Sequence, residues 1–245
     1  MGRQTTIAIV AGFAAAIFLT PLGLSGQELP RFAAGAKVSS LGYGFEGTTA
    51  LTENSNLRGG FNFFNFNRGY DNDGIHYDGN LHFRSVQVTY DQYLYSGFHV
   101  SPGLLLYNGN KVSSTASVPA GQSFSLGDTT YYSGQTNPIS GLASLDLGRK
   151  VSPLLMVGAG NPLPRNGRRL GFTVDFGVAF QGSPKSMLGI AGTACTVSPT
   201  TGCLNAATDP TVQSNVLKEQ SQLDDDLKEL RYYPILSFGI SWRLK

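Results

Sequence analysis

Leu236-Ser-Phe-Gly-Ile-Ser-Trp-Arg-Leu244 is the stretch that decides the fold. Leu236, Phe238, Ile240, Trp242 and Leu244 fall on one face of an extended strand, and Ser237, Gly239, Ser241 and Arg243 fall on the other. A soluble antiparallel sheet also alternates, with its large apolar residues turned to a core. Here the face opposite the large residues is tiny or charged. That combination suits a membrane barrel, in which lipid takes the apolar face and a polar lumen takes the other.

Segment 170–182 repeats the pattern. Leu170, Phe172, Val174, Phe176, Val178 and Phe180 share one face, and Gly171, Thr173, Asp175, Gly177, Ala179 and Gln181 share the other. Period two over that length excludes a helix. The full set of strand-like segments is 33–51, 57–67, 80–94, 98–108, 139–149, 153–160, 170–182 and 232–244. Leu41, Tyr43 and Phe45 oppose Gly42, Gly44 and Glu46. Leu57, Phe61 and Phe63 oppose Arg58, Gly60 and Asn62. Phe98, Val100, Leu104 and Leu106 oppose His99, Ser101 and Gly103. In 80–94 the apolar phase slips between Phe83 and Val86, and a bulge near Arg84–Ser85 would restore it. The expected fold is all-β: an antiparallel transmembrane β-barrel of eight strands, or ten if 186–193 and part of 109–138 also enter the ring. An even count returns both ends of a single-chain barrel to the same side.

The connections fall into two kinds. Tight turns are expected at Tyr95–Gly97 and Lys150–Ser152, and long loops at 68–79, 109–138 and 183–231. Within 109–138, Phe124 to Tyr131 reads as a small hairpin. The stretch 209–230 changes character. Asp209 can cap a helix whose first residue is Pro210, and Val216, Leu223, Leu227 and Leu230 recur at helical spacing around acidic 224–226. This predicts one amphipathic helix in the loop before the last strand. Its apolar stripe suits packing on the barrel rim or on a loop, and a partner-docking helix is the sharper reading.

Residues 1–26 read as a secretory signal peptide, with Arg3 as the positive segment, Ile7 to Leu19 as the apolar run and Gly23, Ser25 and Gly26 near the cleavage point. The run is shorter than the ~20 residues of a spanning helix. Residues 27–245 then form one barrel domain. The 31 glycines, 15 phenylalanines and 11 tyrosines favour β structure. A net charge of +2 gives no case for nucleic acid. Cys195 and Cys203 lie close together in a loop-like stretch, and after export a disulfide between them is expected. With no histidine near them they make a poor metal site, and no cofactor motif is present.

The run Leu41-Gly-Tyr-Gly-Phe45, the stretch Asp175-Phe-Gly-Val-Ala-Phe-Gln-Gly-Ser-Pro184 and the terminal strand Tyr233 to Leu244 resemble small Gram-negative outer-membrane β-barrel proteins of the OmpA/OmpW-like kind, of unassigned function. The resemblance covers most of the mature chain. It implies residence in the outer membrane, contact with membrane lipids and recognition of the terminal strand by the outer-membrane insertion machinery. That strand usually ends in an aromatic, often Phe. This chain ends Trp242-Arg243-Leu244-Lys245, with Trp242 and Leu244 in the outward phase.

The phase assignment places Glu46, Arg58, Asp91, Asp146, Asp175 and Arg243 in the lumen. Charges inside a narrow barrel must be paired or hydrated, and eight strands leave room for little more than side chains. A structural ion-pair network that plugs the lumen is the expected arrangement, and a narrow path for small solutes is the alternative. Neighbouring first and last strands would pair Glu46 with Arg243. The three histidines, His76, His82 and His99, belong to no nucleophile–base–acid pattern, so no enzyme is expected and a lipid-modifying barrel is the weakest reading. A cation site at Asp71, Asp73, Asp78 and the nearby histidines competes with a plain solvated loop. Tyr43, Tyr93, Tyr95, Tyr232, Tyr233 and Trp242 fall near strand ends, where aromatic girdles sit. A lipocalin-like barrel would instead need an apolar interior.

Overall fold

The period-two segments close into a ring. A computed structural model describes residues 32–95 and 97–244; the expected signal peptide lies outside them. Eight strands form the barrel: β1 (Phe32–Ser39), β2 (Gly42–Thr52), β3 (Ser55–Asn72), β4 (Ile75–Tyr95), β5 (Phe98–Asn108), β10 (Ser152–Gly160), β11 (Leu170–Phe180) and β15 (Tyr232–Arg243). Each pairs antiparallel with the next, and β15 pairs with β1 from Ala33↔Arg243 to Ser39↔Ser237. The fold is the expected antiparallel transmembrane barrel of eight strands.

The membership of the ring differs from the expected one at two places. Segment 33–51 is two ring strands, because the chain turns at Ser40–Leu41. Gly42 takes φ +108° there, and its α-carbon lies so close to the Phe63 carbonyl that a β-carbon would reach 2.5 Å from the oxygen. Leu41 therefore drops into the barrel mouth, 1% exposed, while Tyr43 and Phe45 keep the outward face. Segment 139–149 leaves the ring. Its strand, β9 (Ile139–Asp146), belongs to a sheet beyond the barrel.

This exchange settles which end carries the loops. The turn at 53–54, the junction where β4 ends and β5 begins, the 161–169 loop, Phe32 and Leu244 share one end, here called the terminal end. The excursions 109–151 and 181–231 leave from the far end. There β6 (Lys111–Val118), β9 and β12 (Lys185–Ala191) extend the upper half of β4 as a sheet. A second sheet, β14–β13–β8–β7, comprises β7 (Ser123–Leu126), β8 (Thr129–Ser133), β13 (Thr193–Ser198) and β14 (Thr201–Asn205). β7 and β8 are the expected Phe124–Tyr131 hairpin, and Cys195 and Cys203 form a disulfide across the β13–β14 pair.

The expected long loop at 68–79 is instead paired strand. β3 and β4 run together without interruption from Ser55↔Gln92 to Asn72↔Ile75, so no bulge separates them near Arg84–Ser85. The phase slip has another cause. From Tyr77 to Tyr93 the odd-numbered β4 residues keep one face, the inward one within the ring. Below the rim they meet a polar lumen, as Ser85, Gln87, Thr89 and Asp91. Above it Tyr77, Leu81 and Phe83 sit on the same face, opposite Tyr70, Phe66 and Phe64 of β3.

Helix α1 (Pro210–Asp226) is capped as its sequence requires: the Asp209 carboxylate accepts from the backbone N–H groups of Thr211 and Val212. It packs on the extra-barrel sheets. Val212 joins an apolar core with Val118, Tyr131, Ile139, Ala194 and Ala206, Val216 is buried one turn further along, and Asp224 accepts from the Ser186 N–H and hydroxyl at the β12 edge. Around the barrel wall, Phe45, Phe61, Phe172, Phe176, Phe238 and Trp242 remain exposed as one apolar belt. Such a belt is the signature of a wall that faces lipid.

Candidate functional site

The inside of the barrel is filled in three layers. The far-end layer is apolar. Leu41, Leu105, Leu154, Met156, Ala179 and Ile235 form one cluster, each no more than 3% exposed, with Tyr233 against it. The Tyr233 hydroxyl donates to the Ser40 carbonyl oxygen at 2.7 Å and holds the β1–β2 turn over the mouth.

The middle layer is charged. Arg58 on β3 reaches across the lumen to Asp175 on β11, with Nη1–Oδ2 at 2.8 Å and Nη2–Oδ1 at 3.1 Å. Nη2 also donates to Asp91 Oδ1 at 3.1 Å, and Nη1 lies 3.9 Å from Glu46 Oε1. Lys37 stands 3.6 Å from Glu46 Oε2. His99 Nε2 lies 2.8 Å from Asp175 Oδ1, and its Nδ1 lies 3.3 Å from the Gly97 carbonyl oxygen. Every side chain of this set is 3% exposed or less. Two-pronged pairing with a carboxylate is the geometry that the planar guanidinium fork favours. Burial of so many charges holds only because they are arranged together; one alone would be costly.

Glycine makes the room. A β-carbon at Gly158 would stand 2.5 Å from Asp175 Oδ1 and 2.6 Å from His99 Nε2, and one at Gly60 would stand 3.0 Å from Lys37 Nζ. The small inward residues noted in the alternation are thus the space into which the long charged side chains lie.

The terminal-end layer is a loop folded inward. Leu163 is fully buried. Asn161 Oδ1 accepts from Asn56 Nδ2 at 3.1 Å, from the Tyr93 hydroxyl at 3.2 Å and from the Leu163 N–H at 2.8 Å. Arg165 donates to the carbonyl oxygens of Thr52 and Ser55 and to Asn56 Oδ1, and its guanidinium lies 5.8 Å from the centre of the Tyr93 ring.

Of the six charges placed in the lumen from the sequence, the structure brings Glu46, Arg58, Asp91 and Asp175 together. Asp146 is a correction: β9 stands outside the ring, and the carboxylate is exposed, 3.9 Å from Lys111. Arg243 is a second. It keeps the inward phase but sits at the terminal mouth, where it donates to the Pro164 and Gly167 carbonyl oxygens. Its cross-strand neighbour is Ala33, whereas Glu46 lies level with Gly35 and Ser241, so the two do not pair. Glu46 meets Lys37 and Arg58 instead. Lys37 and His99 are the lumen members missing from the sequence list. His99 carried a signal, since it alternates against Phe98 and Val100. Lys37 lay in the part of 33–51 whose turn was not recognised.

The proposed cation cluster has a different arrangement. His76 Nδ1 lies 2.7 Å from Asp71 and its Nε2 lies 3.6 Å from Asp78, on the exposed β3–β4 hairpin. The hydrogen bond that the His76 ring donates to the Asp71 carboxylate is the main cause of a raised His76 pKa.

Comparison with protein-family models and with curated proteins gives no match. Among solved structures, the chain is similar to the crystal structure of Acinetobacter baumannii CarO, with a TM-score of 0.55, 19% identity, and coverage of 86% of this chain and 96% of that one. It is similar also to A. baumannii CarO2, with a TM-score of 0.55, 17% identity, and coverage of 88% and 99%. At this identity the likeness is one of fold. The resemblance to OmpA/OmpW-like proteins therefore holds at the level of a small barrel, and the similar solved structures are those of CarO proteins.

Proposed function

We propose that this chain is an integral outer-membrane barrel with a closed lumen, whose working surface is the two-sheet and helix structure at the far end. In this reading the barrel anchors and the far end interacts. The far end lies outside the cell and the terminal end in the periplasm, the usual placement of long loops and chain ends in such barrels. Lipids surround the apolar belt, and the outer-membrane insertion machinery acts on β15. One observation carries the reading: Arg58 is bound two-pronged to Asp175 across the lumen, between an apolar layer on one side and the inserted 161–169 loop on the other. Single-channel recording in planar bilayers tests it. The expected result is no steady conductance from the wild-type protein.

A narrow pore for small solutes is the second reading. It is favoured by four buried lumen atoms without a protein partner: Arg58 Nε, Asn62 Oδ1, Asp91 Oδ2 and Ser101 Oγ. Stable, reproducible conductance steps from the wild type would favour it over a closed barrel.

A further inference from the structure

Three strands of the wall break at the far-end rim and resume beyond it. β4 is paired by β5 as far as Ser85↔Asn108 and by β6 from His82↔Lys111 onward. β10, beside β5 in the ring, follows directly from β9, beside β6 in the far-end sheet, and β11 leads into β12 in the same way. The breaks at 109–110, 147–151 and 181–184 are therefore neighbours on one rim. Backbone bonds join them. The Leu147 N–H donates to the Asn110 carbonyl oxygen, the Asn108 N–H to that of Lys150 and the Arg149 N–H to that of Gln181.

Register fixes what this rim turns outward. His82, Lys111, Asp146 and Lys185 form one cross-strand row, on the face that Arg84 continues down the wall. Arg149 and Lys150 lie exposed in the break beside that row, and Arg149 runs over Gly182, where a β-carbon would stand 3.1 Å from its Nε. Among the described residues of the row and the three breaks, Asp146 is the one carboxylate, against Lys111, Arg149, Lys150 and Lys185. Asp224 lies on the other face of β12, against Ser186. Directly below the row the exposed residues are apolar: Leu106, Tyr107, Val151 and Phe180. Directly above it the same face carries Asn80, Ser113 and Thr115. The cations thus stand where an apolar wall gives way to a polar one, the level at which a bilayer changes from chains to headgroups.

Basic residues at headgroup level attract anionic lipid, and phosphate is the anion that a headgroup presents to them. An acidic peptide would use the same cations but leave the apolar strip beneath them unused; a lipid uses both. Asp146 divides the rim in two. Lys111 lies 3.9 Å from it on one side, and Lys185 is its register partner on the other. β6 and β12 are two strand spacings apart, ~10 Å, which is wider than one phosphate group. We propose that this rim is a binding site for an anionic lipid with two phosphates. Its chains lie along the apolar belt, one phosphate sits at Arg84 and Lys111, and the other sits at Lys150 and Lys185. The proposal rests on the reading of the chain as a membrane barrel.

The test uses the full-length barrel folded in a neutral detergent and, in parallel, in phosphatidylcholine vesicles. Native mass spectrometry from the detergent follows diphosphoryl lipid A on the barrel at low ionic strength and without divalent cations. The expected result is retention of one diphosphoryl lipid A, with monophosphoryl lipid A and phosphatidylglycerol held more weakly. Lys111→Gln with Lys185→Gln should weaken binding roughly thirtyfold, about fivefold for each basic residue beside an anionic headgroup. Asp146→Asn removes the carboxylate between the two phosphates and should tighten binding. Arg168→Gln with Arg169→Gln, exposed cations at the terminal end, should leave it unchanged. None of the substituted side chains is buried, and a heat-modifiable gel shift checks that each variant folds. Should the double lysine variant fail to fold, the Asp146→Asn comparison still decides. Binding that ignores Asp146→Asn and the lysine pair, binding lost in the Arg168 and Arg169 variant instead, equal retention of phosphatidylglycerol, or displacement of lipid A by millimolar inorganic phosphate would each overturn the two-phosphate site and leave the barrel standing. Failure of the wild type to enter phosphatidylcholine vesicles would overturn the membrane barrel and the site together.

Discussion

Arg58 and Asp175 are 117 positions apart in the chain and meet in the middle of the barrel as a two-pronged pair. One is on the third ring strand and the other on the seventh, so the contact spans the lumen rather than the wall. Three further strands place a charge within reach of this pair or within one contact of it: β4 with Asp91, β2 with Glu46 and β1 with Lys37. The pair therefore ties opposite walls of the barrel to each other.

Removing Arg58 leaves Asp91 and Asp175 without their shared cation in a buried site. Arg58→Ala should destabilise the barrel by ~3–5 kcal/mol, as is typical of a broken buried pair. Asp175→Ala should do likewise. The double variant should cost less than the sum of the two, because neither partner is then left alone. Urea unfolding in lipid vesicles measures all three, and additive losses would contradict the direct pairing.

Gly158→Ala adds one methyl group where Asp175 and His99 already touch. A β-carbon there is also 2.7 Å from the Val174 carbonyl oxygen, which cannot move as freely as a side chain. The expected loss is ~1–3 kcal/mol, the usual range for overpacking. Unfolding midpoints and the His99 ring signals report it; an unchanged midpoint would mean that the lumen is looser than described.

Phe176 and Leu142 are similarly exposed, at 59% and 55%. Phe176 sits midway along ring strand β11, and Leu142 lies on β9 outside the ring. Phe176→Arg should cost ~2–4 kcal/mol, the penalty for a cation at the bilayer midplane. Leu142→Arg should be close to neutral. Heat-modifiability on gels and vesicle refolding yields compare them, and equal effects would argue against a lipid-facing belt.

Cys195 and Cys203 close a loop of short span, with a sequence separation of 8. Their replacement by alanine should cost no more than about 2–3 kcal/mol by the loop-entropy estimate. The loss should be confined to the second far-end sheet. Limited proteolysis should show faster cleavage within 193–205 while the barrel keeps its heat-modifiable gel shift.

His76 tests the electrostatics of the tall hairpin. Asp71 faces it across the β3–β4 pair and raises its pKa through a hydrogen bond. A raised pKa in the folded state stabilises the tip fully below the ordinary histidine value and is lost as pH climbs through the raised one. Hydrogen exchange at 71–76, corrected for intrinsic rates, should show less protection above that window. Asp71→Asn should remove the pH dependence.

The strength of period-two alternation made the ring's wall legible from sequence. In 170–182 and 236–244 one face must meet lipid and the other a polar lumen, so each position is constrained by its own chemistry. The same constraint placed Glu46, Arg58, Asp91 and Asp175 inside. It did not separate ring strands from far-end strands, because 139–149 alternates well enough to pair in any sheet. Nor did it reveal the turn at Ser40–Leu41, where Leu41 continues the apolar phase of Tyr43 and Phe45 but turns into the mouth. The helix start was legible because its cap is local; of the expected apolar stripe, Val216 is buried, whereas Leu227 and Leu230 fall in the 3-10 turn that follows the helix.

What the amino-acid sequence determined by itself is the alternation: which residues face lipid, which face inward, and where a helix begins. Tertiary structure alone decided the register between strands distant in the chain. That register sends Arg243 to the 161–169 loop and Arg58 to Asp175, and it brings Lys37 and His99 into the cluster. The physical reason is range. A strand's two faces follow from successive side chains, whereas the partner of a buried charge depends on how eight strands close, and closure is a property of the whole ring.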